Sequence, residues 1–285
     1  MDAALKLQPT SAWSALGFLG LGIAVAALWL ALNLALPELQ ATGAASVVIR
    51  LAIHTTLLLG LWFGLQRTSF DLAARIRVWL ALALPFSAWL ALVWWLAVTG
   101  AFRPRPGVPA LPIAIFLPVL IALPVLLRSK RIGQLLDATP AAWLIGLQVY
   151  RVFGGIFLVA WTRGAISSIF ALPAGIGDVL VGILALPVAY AVAVGASGAR
   201  RRAMAWNVMG LLDFAIAITI GILTAPGPLQ LIIPDPPNAA LGTFPTVMIP
   251  AFAVPSSILL HALSLRQLNR AAHRDVALRR DAPRS

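Results

Sequence analysis

The sequence predicts an all-α, polytopic integral membrane protein with eight transmembrane helices, and three observations lead to this class. The 285 residues are 61% hydrophobic and only 11% charged, against about 25% charged residues in ordinary globular domains. Apolar runs of about 20 residues, the length that crosses the hydrocarbon core of a bilayer, recur along the whole chain. Basic residues collect in alternate connections between these runs, as the preference of Lys and Arg for cytoplasmic loops requires.

The apolar runs form eight predicted spans of a single transmembrane domain. The first is too long for the apolar core of a secretory signal, so we expect it to remain as a helix. The fourth contains Pro112, Pro118 and Pro124, which remove backbone donors, but neighbouring helices can compensate for such losses inside a membrane. The predicted limits are residues 12–36, 45–65, 77–99, 110–127, 141–161, 168–195, 203–224 and 244–265.

Basic residues set the predicted orientation, with both termini in the cytoplasm and the cytoplasmic (inner) membrane as the location. Sixteen basic residues then lie inside and three outside. Residues 266–285 form a predicted basic cytoplasmic tail, which either lies on anionic headgroups or acts only as a topogenic signal. The inside set is Lys6, Arg67, Arg75, Arg77, Arg128, Lys130, Arg131, Arg200, Arg201, Arg202 and six arginines between Arg266 and Arg284; the outside set is Arg103, Arg105 and Arg163.

Composition and motifs exclude several classes of protein. The topology explains the isoelectric point of about 11.8 without a nucleic-acid partner, and the lipid bilayer is the expected partner. The chain has no cysteine, which excludes disulfides and thiolate metal sites. It contains neither a glycine-rich phosphate loop nor a His pair at metal-binding spacing, so we predict no cofactor and no metal. We expect His261, which has no second histidine near it in sequence to form a metal pair, to be a satisfied core residue.

Apart from Arg77 at the start of the third span, four charged residues lie within the predicted spans, where an unpaired charge costs several kcal/mol and marks a candidate functional site. Arg151, Asp178 and Asp213 fall at similar depths near the middle of three consecutive spans, so we expect them to meet, with Arg151 as the counter-charge. Arg50 is nearer the outer end of its span, and we expect its side chain to snorkel toward the surface.

Uncharged polar residues extend this predicted cluster. Gln148 lies one helical turn before Arg151, on the same face, and Asn207 precedes Asp213 in the seventh span. His54 can serve in a proton path because histidine titrates near neutral pH. Together with the three central charges, these residues are the predicted site for a solute or an ion.

The sixth span contains three helix-breaking residues beside Asp178, namely Pro173, Gly175 and Gly177. We expect them to break the helix and free backbone groups for an ion or a polar ligand. The alternative is that the glycines only allow close helix packing.

The tetrad Gly175, Ile176, Gly177 and Asp178 resembles the GxGD motif of intramembrane aspartyl proteases. The resemblance implies a hydrolase in which Asp178 and Asp213 are the catalytic pair that shares a proton. In the presenilin-like group a Tyr-Asp helix precedes the motif and a Pro-Ala-Leu motif follows it, whereas here Asp213 follows and no such motif comes after it.

The sequence thus leaves three functions open. The first is binding or transport of a small polar solute or protons, with the proline-rich connection 225–244 capping an outer entrance and Arg103 and Arg105 attracting anions to it. The second is the intramembrane hydrolase. The third is a structural subunit of a membrane complex in which the buried charges only set helix packing. Whether the protein is an enzyme and which oligomer it forms stay open.

Overall fold

A computed structural model describes residues 12–38, 43–104 and 108–281, with side chains described for all of these except 12, 13 and 274–281. Helices account for 81% of the structure, and the described ranges contain no strand. The helices are α1 Ala12–Ala35, α2 Ala44–Gln66, α3 Leu72–Val98, α4 Ala110–Arg128, α5 Lys130–Ala138, α6 Ala141–Gly146, α7 Ile156–Thr162, α8 Ser168–Ala193, α9 Ala199–Thr224 and α10 Val254–Asp281.

Three irregular helical segments complete the described chain. The 3₁₀ segment Leu147–Gly155 joins α6 to α7, so that these three elements form one rod. A short 3₁₀ helix, Asn238–Gly242, lies in the connection between α9 and α10, and the π-helical segment Ile249–Ala253 leads into α10.

Eight helical rods in the described chain are long and apolar enough to cross a membrane, which confirms the predicted all-α class and the predicted number. They are α1 to α4, the α6–α7 rod, α8, α9 and the rod that begins with the π segment. Large apolar side chains such as Leu120, Val125 and Leu28 are more than half exposed. Because soluble monomers rarely expose continuous apolar surface, these helices indicate a membrane protein.

Several predicted limits differ from the structure, and two of these differences have clear local reasons. α3 begins at Leu72 rather than at residue 77, because the Asp71 carboxylate accepts a hydrogen bond from the Ala74 amide at 2.6 Å and caps the helix. The last rod begins at Ile249 rather than at residue 244, with Pro250 in its first turn, where proline is tolerated.

The predicted break at Pro173, Gly175 and Gly177 is wrong, because α8 is continuous from Ser168 to Ala193. The two glycines allow close packing instead. A Cβ atom on Gly175 would lie 2.7 Å from Leu158 Cγ, and one on Gly177 would overlap the Asp213 carboxylate. The loosened segment is the 3₁₀ stretch of the preceding rod, Leu147–Gly155.

The rods that carry Arg151, Asp178 and Asp213 form the centre of the bundle. α8 packs against α1, α9 and the 3₁₀ segment, and α10 packs against α4, α6 and α9. α2 and α3 pair with each other beside α5 and the π segment. The centre therefore consists of the α6–α7 rod, α8, α9 and α10.

The start of the predicted tail docks on the bundle as part of α10. Arg266 donates to the Leu126 and Ser129 carbonyl oxygens at the end of α4, and Arg270 forms an ion pair with Asp137 of α5. Gln267 donates to the Leu136 and Thr139 carbonyl oxygens. These side chains are thus held by protein groups, while the side chains from residue 274 onward lie outside the described part.

Candidate functional site

Arg151 bridges Asp178 and Asp213 at the centre of the bundle. Its Nε donates to Asp178 Oδ1 at 2.8 Å, its Nη2 lies 2.7 Å from the same oxygen, and Nη2 also pairs with Asp213 Oδ2. Arg151 is 3% exposed. The 3₁₀ segment, α8 and α9 each contribute one charge, so the structure brings together the three residues that share a depth in the sequence. We call these three residues the ionic cluster.

A hydrogen-bonded chain extends from the other side of Arg151. Arg151 Nη1 contacts His261 Nε2 at 3.0 Å, and because arginine can only donate, Nε2 is the acceptor. His261 therefore carries its proton on Nδ1 and donates it to Asn207 Oδ1 at 2.9 Å. The Asn207 amide nitrogen donates to the Ala203 carbonyl oxygen and to Ser264 Oγ. His261 and Asn207 thus fix the position of the guanidinium.

Close backbone approach makes room for these polar side chains. A Cβ atom on Gly154 would overlap the Asp178 carboxylate, and one on Gly210 would lie 2.9 Å from Arg151 Nη1 and overlap the His261 ring. The ring of Phe214 lies under the guanidinium, with Arg151 Cζ 3.9 Å from the ring centroid, which adds a cation–π contact.

A cavity of about 100 Å³ extends from the α9–α10 connection to Asp178; we call it the outer cavity. Its lining is mostly apolar and includes Ile115, Phe157 and Phe214, with Arg103 and Asn238 as further polar residues. Residues 225–229 of the proline-rich connection also line it. This connection therefore lies over part of the cavity, while Arg105 lies outside the described residues.

Buried hydrogen bonds hold the covering connection in place. Asn238 is fully buried, accepts from the Ser167 amide at 2.8 Å and donates to Thr224 Oγ1 at 2.8 Å. Gln230 donates to the Thr224 carbonyl oxygen. The ends of α8 and α9 and the loop are thereby tied together.

A second cavity of about 30 Å³, which we call the inner cavity, lies on the other side of Asp178. Its lining includes two hydroxyl groups, those of Tyr150 and Ser257, that were not predicted to belong to the site. Arg50, Tyr150 and Ser257 line it together with Arg151 and Asp178. The Tyr150 hydroxyl and Ser257 Oγ are 2.6 Å apart. Four residues line both cavities and therefore lie between them: Asp178, Phe214, Ile249 and Val254.

The expectation that Arg50 snorkels to the surface is wrong. Arg50 is 5% exposed and lines the inner cavity, and its Nε has no hydrogen-bond partner among the described residues. The rotation of α2 about its axis, which the nearly uniform apolar sequence does not reveal, turns this side chain inward.

The other predicted site residues have separate places. Gln148 is fully buried, its side-chain oxygen and nitrogen have no partner within the described chain, and it lines neither cavity. His54 contacts Ser87 Oγ at 3.0 Å and stacks on Phe86, away from the ionic cluster. Asn207 reaches the cluster only through His261.

His261, Tyr150 and Ser257 are the principal residues that the sequence analysis did not assign to the site. A signal was present on α10, where Ser257, His261 and Ser264 recur at the spacing of one helical face. Tyr150 directly precedes Arg151 and has no comparable pattern. His261 is a buried core histidine, as expected, but it is bonded to Arg151.

The apolar helices indicate a membrane protein, and the ionic cluster lies at the centre of their bundle. Residues 108–269 match a family described as a domain of unknown function, DUF8737, and the chain belongs to this family. The matched stretch contains the whole ionic cluster and His261, whereas Arg50 precedes it. No curated protein and no solved structure matches the chain.

Proposed function

We propose that this membrane protein, placed in the cytoplasmic membrane with both termini inside, binds or transports a small polar solute or protons, and that Asp178 exchanges the proton or cation. One observation supports this most strongly. Arg151 bonds Oδ1 of Asp178, and the Asp178 residue lines both cavities. One oxygen is anchored and the carboxyl group remains accessible from two sides.

Arg151 positions the carboxylates in this proposal. It is held by Asp178, Asp213, His261 and the Gly210 carbonyl oxygen, so it cannot move without breaking several interactions in an apolar interior. Asp213 is the second candidate for exchange, because it also lines a broad groove between α8 and α9.

The outer cavity limits the size of the solute. An apolar cavity of about 150 Å³ accommodates benzene, so a cavity of about 100 Å³ accommodates a molecule of a few heavy atoms, an ion or several waters. Its apolar walls offer few hydrogen bonds, and Asp178 supplies the charge at its inner end. Protons and small ions fit this combination.

The alternative function is an intramembrane hydrolase with Asp178 and Asp213 as its catalytic pair. Such a pair works by sharing one proton between neighbouring carboxylates. Here the Arg151 guanidinium lies between them and bonds one oxygen of each. This bridge favours an exchange site over a hydrolytic pair, and it agrees equally with a structural subunit, so an activity measurement must separate these two.

Proton flux through the purified protein, reconstituted in vesicles that contain a pH-sensitive dye, tests the proposal. A pH gradient across the vesicle membrane drives the flux, and Asp178→Asn is expected to abolish it. Asp137→Asn is the matched control, because it removes the carboxylate of an ion pair with Arg270 at the α5–α10 contact, outside both cavities.

The outcomes of this experiment separate the three functions. Equal flux through the Asp178→Asn variant and the parent protein contradicts the exchange role. Cleavage of a membrane-spanning peptide that is lost on changing either Asp178 or Asp213 to Asn supports the hydrolase instead. A parent protein with neither activity, whose Asp178→Asn variant unfolds, supports the structural subunit.

A further inference from the structure

Arg50 is a buried cation without a carboxylate at ion-pair distance among the described residues. The ion pairs of the described interior join Arg151 to Asp178 and Asp213, so that set carries two negative charges and one positive charge. Arg50 lies at the inner cavity and touches neither carboxylate. With its positive charge included, the net charge of the four buried residues is zero. A buried guanidinium that lacks a direct partner is costly, and it is a strong site for an anion.

Hydrogen-bond donors without acceptors belong to residues that line the same cavity. Arg50 Nε has no acceptor within the described chain. In the contact between the Tyr150 hydroxyl and Ser257 Oγ only one hydroxyl can donate to the other, so the second hydroxyl hydrogen is available to a ligand. The guanidinium N–H comes from α2, and the free hydroxyl comes from either the 3₁₀ segment or α10. Two donors on different elements are suited to hold an anion between them.

The inner cavity admits only a very small ligand. Its volume of about 30 Å³ accommodates roughly two waters, since one water needs about 10–15 Å³ of such space. A monatomic halide is slightly larger than one water and fits the same space. Polyatomic carboxylates and phosphates do not.

We propose that the inner cavity binds a small monovalent anion of the halide class, and that the anion enters together with a proton taken up by Asp178. Before uptake, Arg50 and Arg151 balance Asp178 and Asp213. After uptake, Asp178 is a neutral acid and the halide replaces its charge, so the sum is again zero. Either ion alone would leave a net charge in an apolar interior, which is unfavourable, and the two ions are therefore coupled.

The surroundings of Asp178 contain the groups that this exchange requires. Arg151 and Tyr150 come from the 3₁₀ segment, Arg50 from α2 and Asp213 from α9, and His261 of α10 lies behind Arg151. This inference rests on the proposed proton exchange at Asp178 and adds the second ion.

The outer cavity supplies a route to the halide site. Arg103 belongs to its lining, near the covering connection, and attracts anions. At the inner end, Asp178, Phe214, Ile249 and Val254 separate the two cavities. A proton that neutralises Asp178 removes the charge that would otherwise repel an anion at this partition.

The test measures proton uptake into vesicles with chloride, bromide or gluconate as the anion. Uptake is expected with chloride and bromide and is expected to fall at least tenfold with gluconate, which is too large for the inner cavity. Arg50→Gln should abolish halide dependence. Arg163→Gln is the control, because Arg163 bonds the Asn33 carbonyl oxygen and lines neither cavity.

Direct chloride binding to the detergent-solubilised protein, measured by titration calorimetry, keeps the proposal testable if Arg50→Gln does not fold. Tyr150→Phe retains every charge and removes one hydroxyl, so a three- to tenfold weaker affinity is expected, corresponding to about 0.7–1.4 kcal/mol for one hydrogen bond. Absence of saturable chloride binding in the parent protein means that the cavity holds water only, and it overturns the proposal.

The two proposals fail in different ways. Proton flux that needs Asp178 but is the same in chloride and in gluconate overturns the halide site and leaves the exchange role intact. Flux that does not depend on Asp178 overturns both.

Discussion

Arg151 is the residue on which the geometry of the centre depends. Its guanidinium bonds Asp178, Asp213, the Gly210 carbonyl oxygen and His261. Arginine suits this position because its planar fork offers donors in fixed directions to several acceptors. Lysine, with a single ammonium, could not serve all four.

Arg151→Gln is expected to destabilise the protein by about 3–5 kcal/mol, because it leaves two buried carboxylates without the ion-pair partner that bonds both of them. Denaturant unfolding in detergent measures the change. Arg270→Gln breaks a pair whose side chains are 39% and 23% exposed, so its cost should stay within about 1 kcal/mol.

The triple variant Arg151→Met, Asp178→Asn, Asp213→Asn completes this test, because it removes all three charges together. It should be clearly more stable than Arg151→Gln alone. Equal instability of the two variants would show that the loss comes from packing and not from unpaired charge.

His261 is expected to be the neutral tautomer with its proton on Nδ1, because Nε2 accepts from Arg151. Nitrogen-15 NMR of histidine-labelled protein distinguishes the two ring nitrogens. Asn207→Leu removes the acceptor of the Nδ1 proton and should perturb the His261 signal, whereas the His54 signal should not change. A protonated Nε2 in the parent protein would contradict the arrangement.

At the scale of the helices, two glycines leave the space that the carboxylates of the ionic cluster occupy. α8 and α9 approach closely enough at Gly177 that the Asp213 carboxylate occupies the space of the missing side chain. Gly154 makes the same room for Asp178. The helices thus bring charged groups into contact where larger residues would separate them.

Gly177→Ala should destabilise the protein by about 1–3 kcal/mol, since overpacking forces neighbouring groups to move. Gly20→Ala in α1 is the matched control, because an added methyl group there has no neighbour within 4 Å. That change should be neutral or slightly stabilising. Thermal unfolding in detergent compares the two variants, and equal effects would contradict the close approach of Asp213.

The sequence predicts the number and approximate positions of the helices, but it does not predict where a helix is irregular or broken. Length and apolarity determine the spans, and equal depth on consecutive helices placed Arg151 near Asp178 and Asp213. The helix break was misplaced because glycine can either loosen a helix or let another helix approach, and only the neighbours decide between these. In α8 the neighbours Leu158 and Asp213 fill the space, so the helix stays continuous.

At the scale of the whole molecule, the outer surface is apolar and the polar groups converge inside. Exposed leucine, isoleucine and valine side chains cover α1, α2 and α4, while Arg151, Asp178 and Asp213 lie where the α6–α7 rod, α8, α9 and α10 meet. The cavities could not be predicted from the sequence, because they depend on how a long connection folds over the bundle. Arg50 was misjudged for a similar reason, since its direction depends on the rotation of α2.

The proposed topology places the α2–α3 and α8–α9 connections in the cytoplasm and the α9–α10 connection outside. The chain contains no cysteine, so single replacements give clean labels. In intact cells a membrane-impermeant maleimide should react with Ile233→Cys but not with Ser69→Cys or Ser197→Cys, all three of which are exposed positions. Labelling of all three sites only after the cells are opened, or the reverse pattern, would contradict the orientation.

Infrared difference spectroscopy of the reconstituted protein measures proton uptake at Asp178 most directly. On acidification in chloride, a carboxylic-acid C=O band should appear in the parent protein and in Asp137→Asn, and it should be absent from Asp178→Asn. If the same band persists in Asp178→Asn, the proton is bound elsewhere, and Asp178 is not the exchanging group.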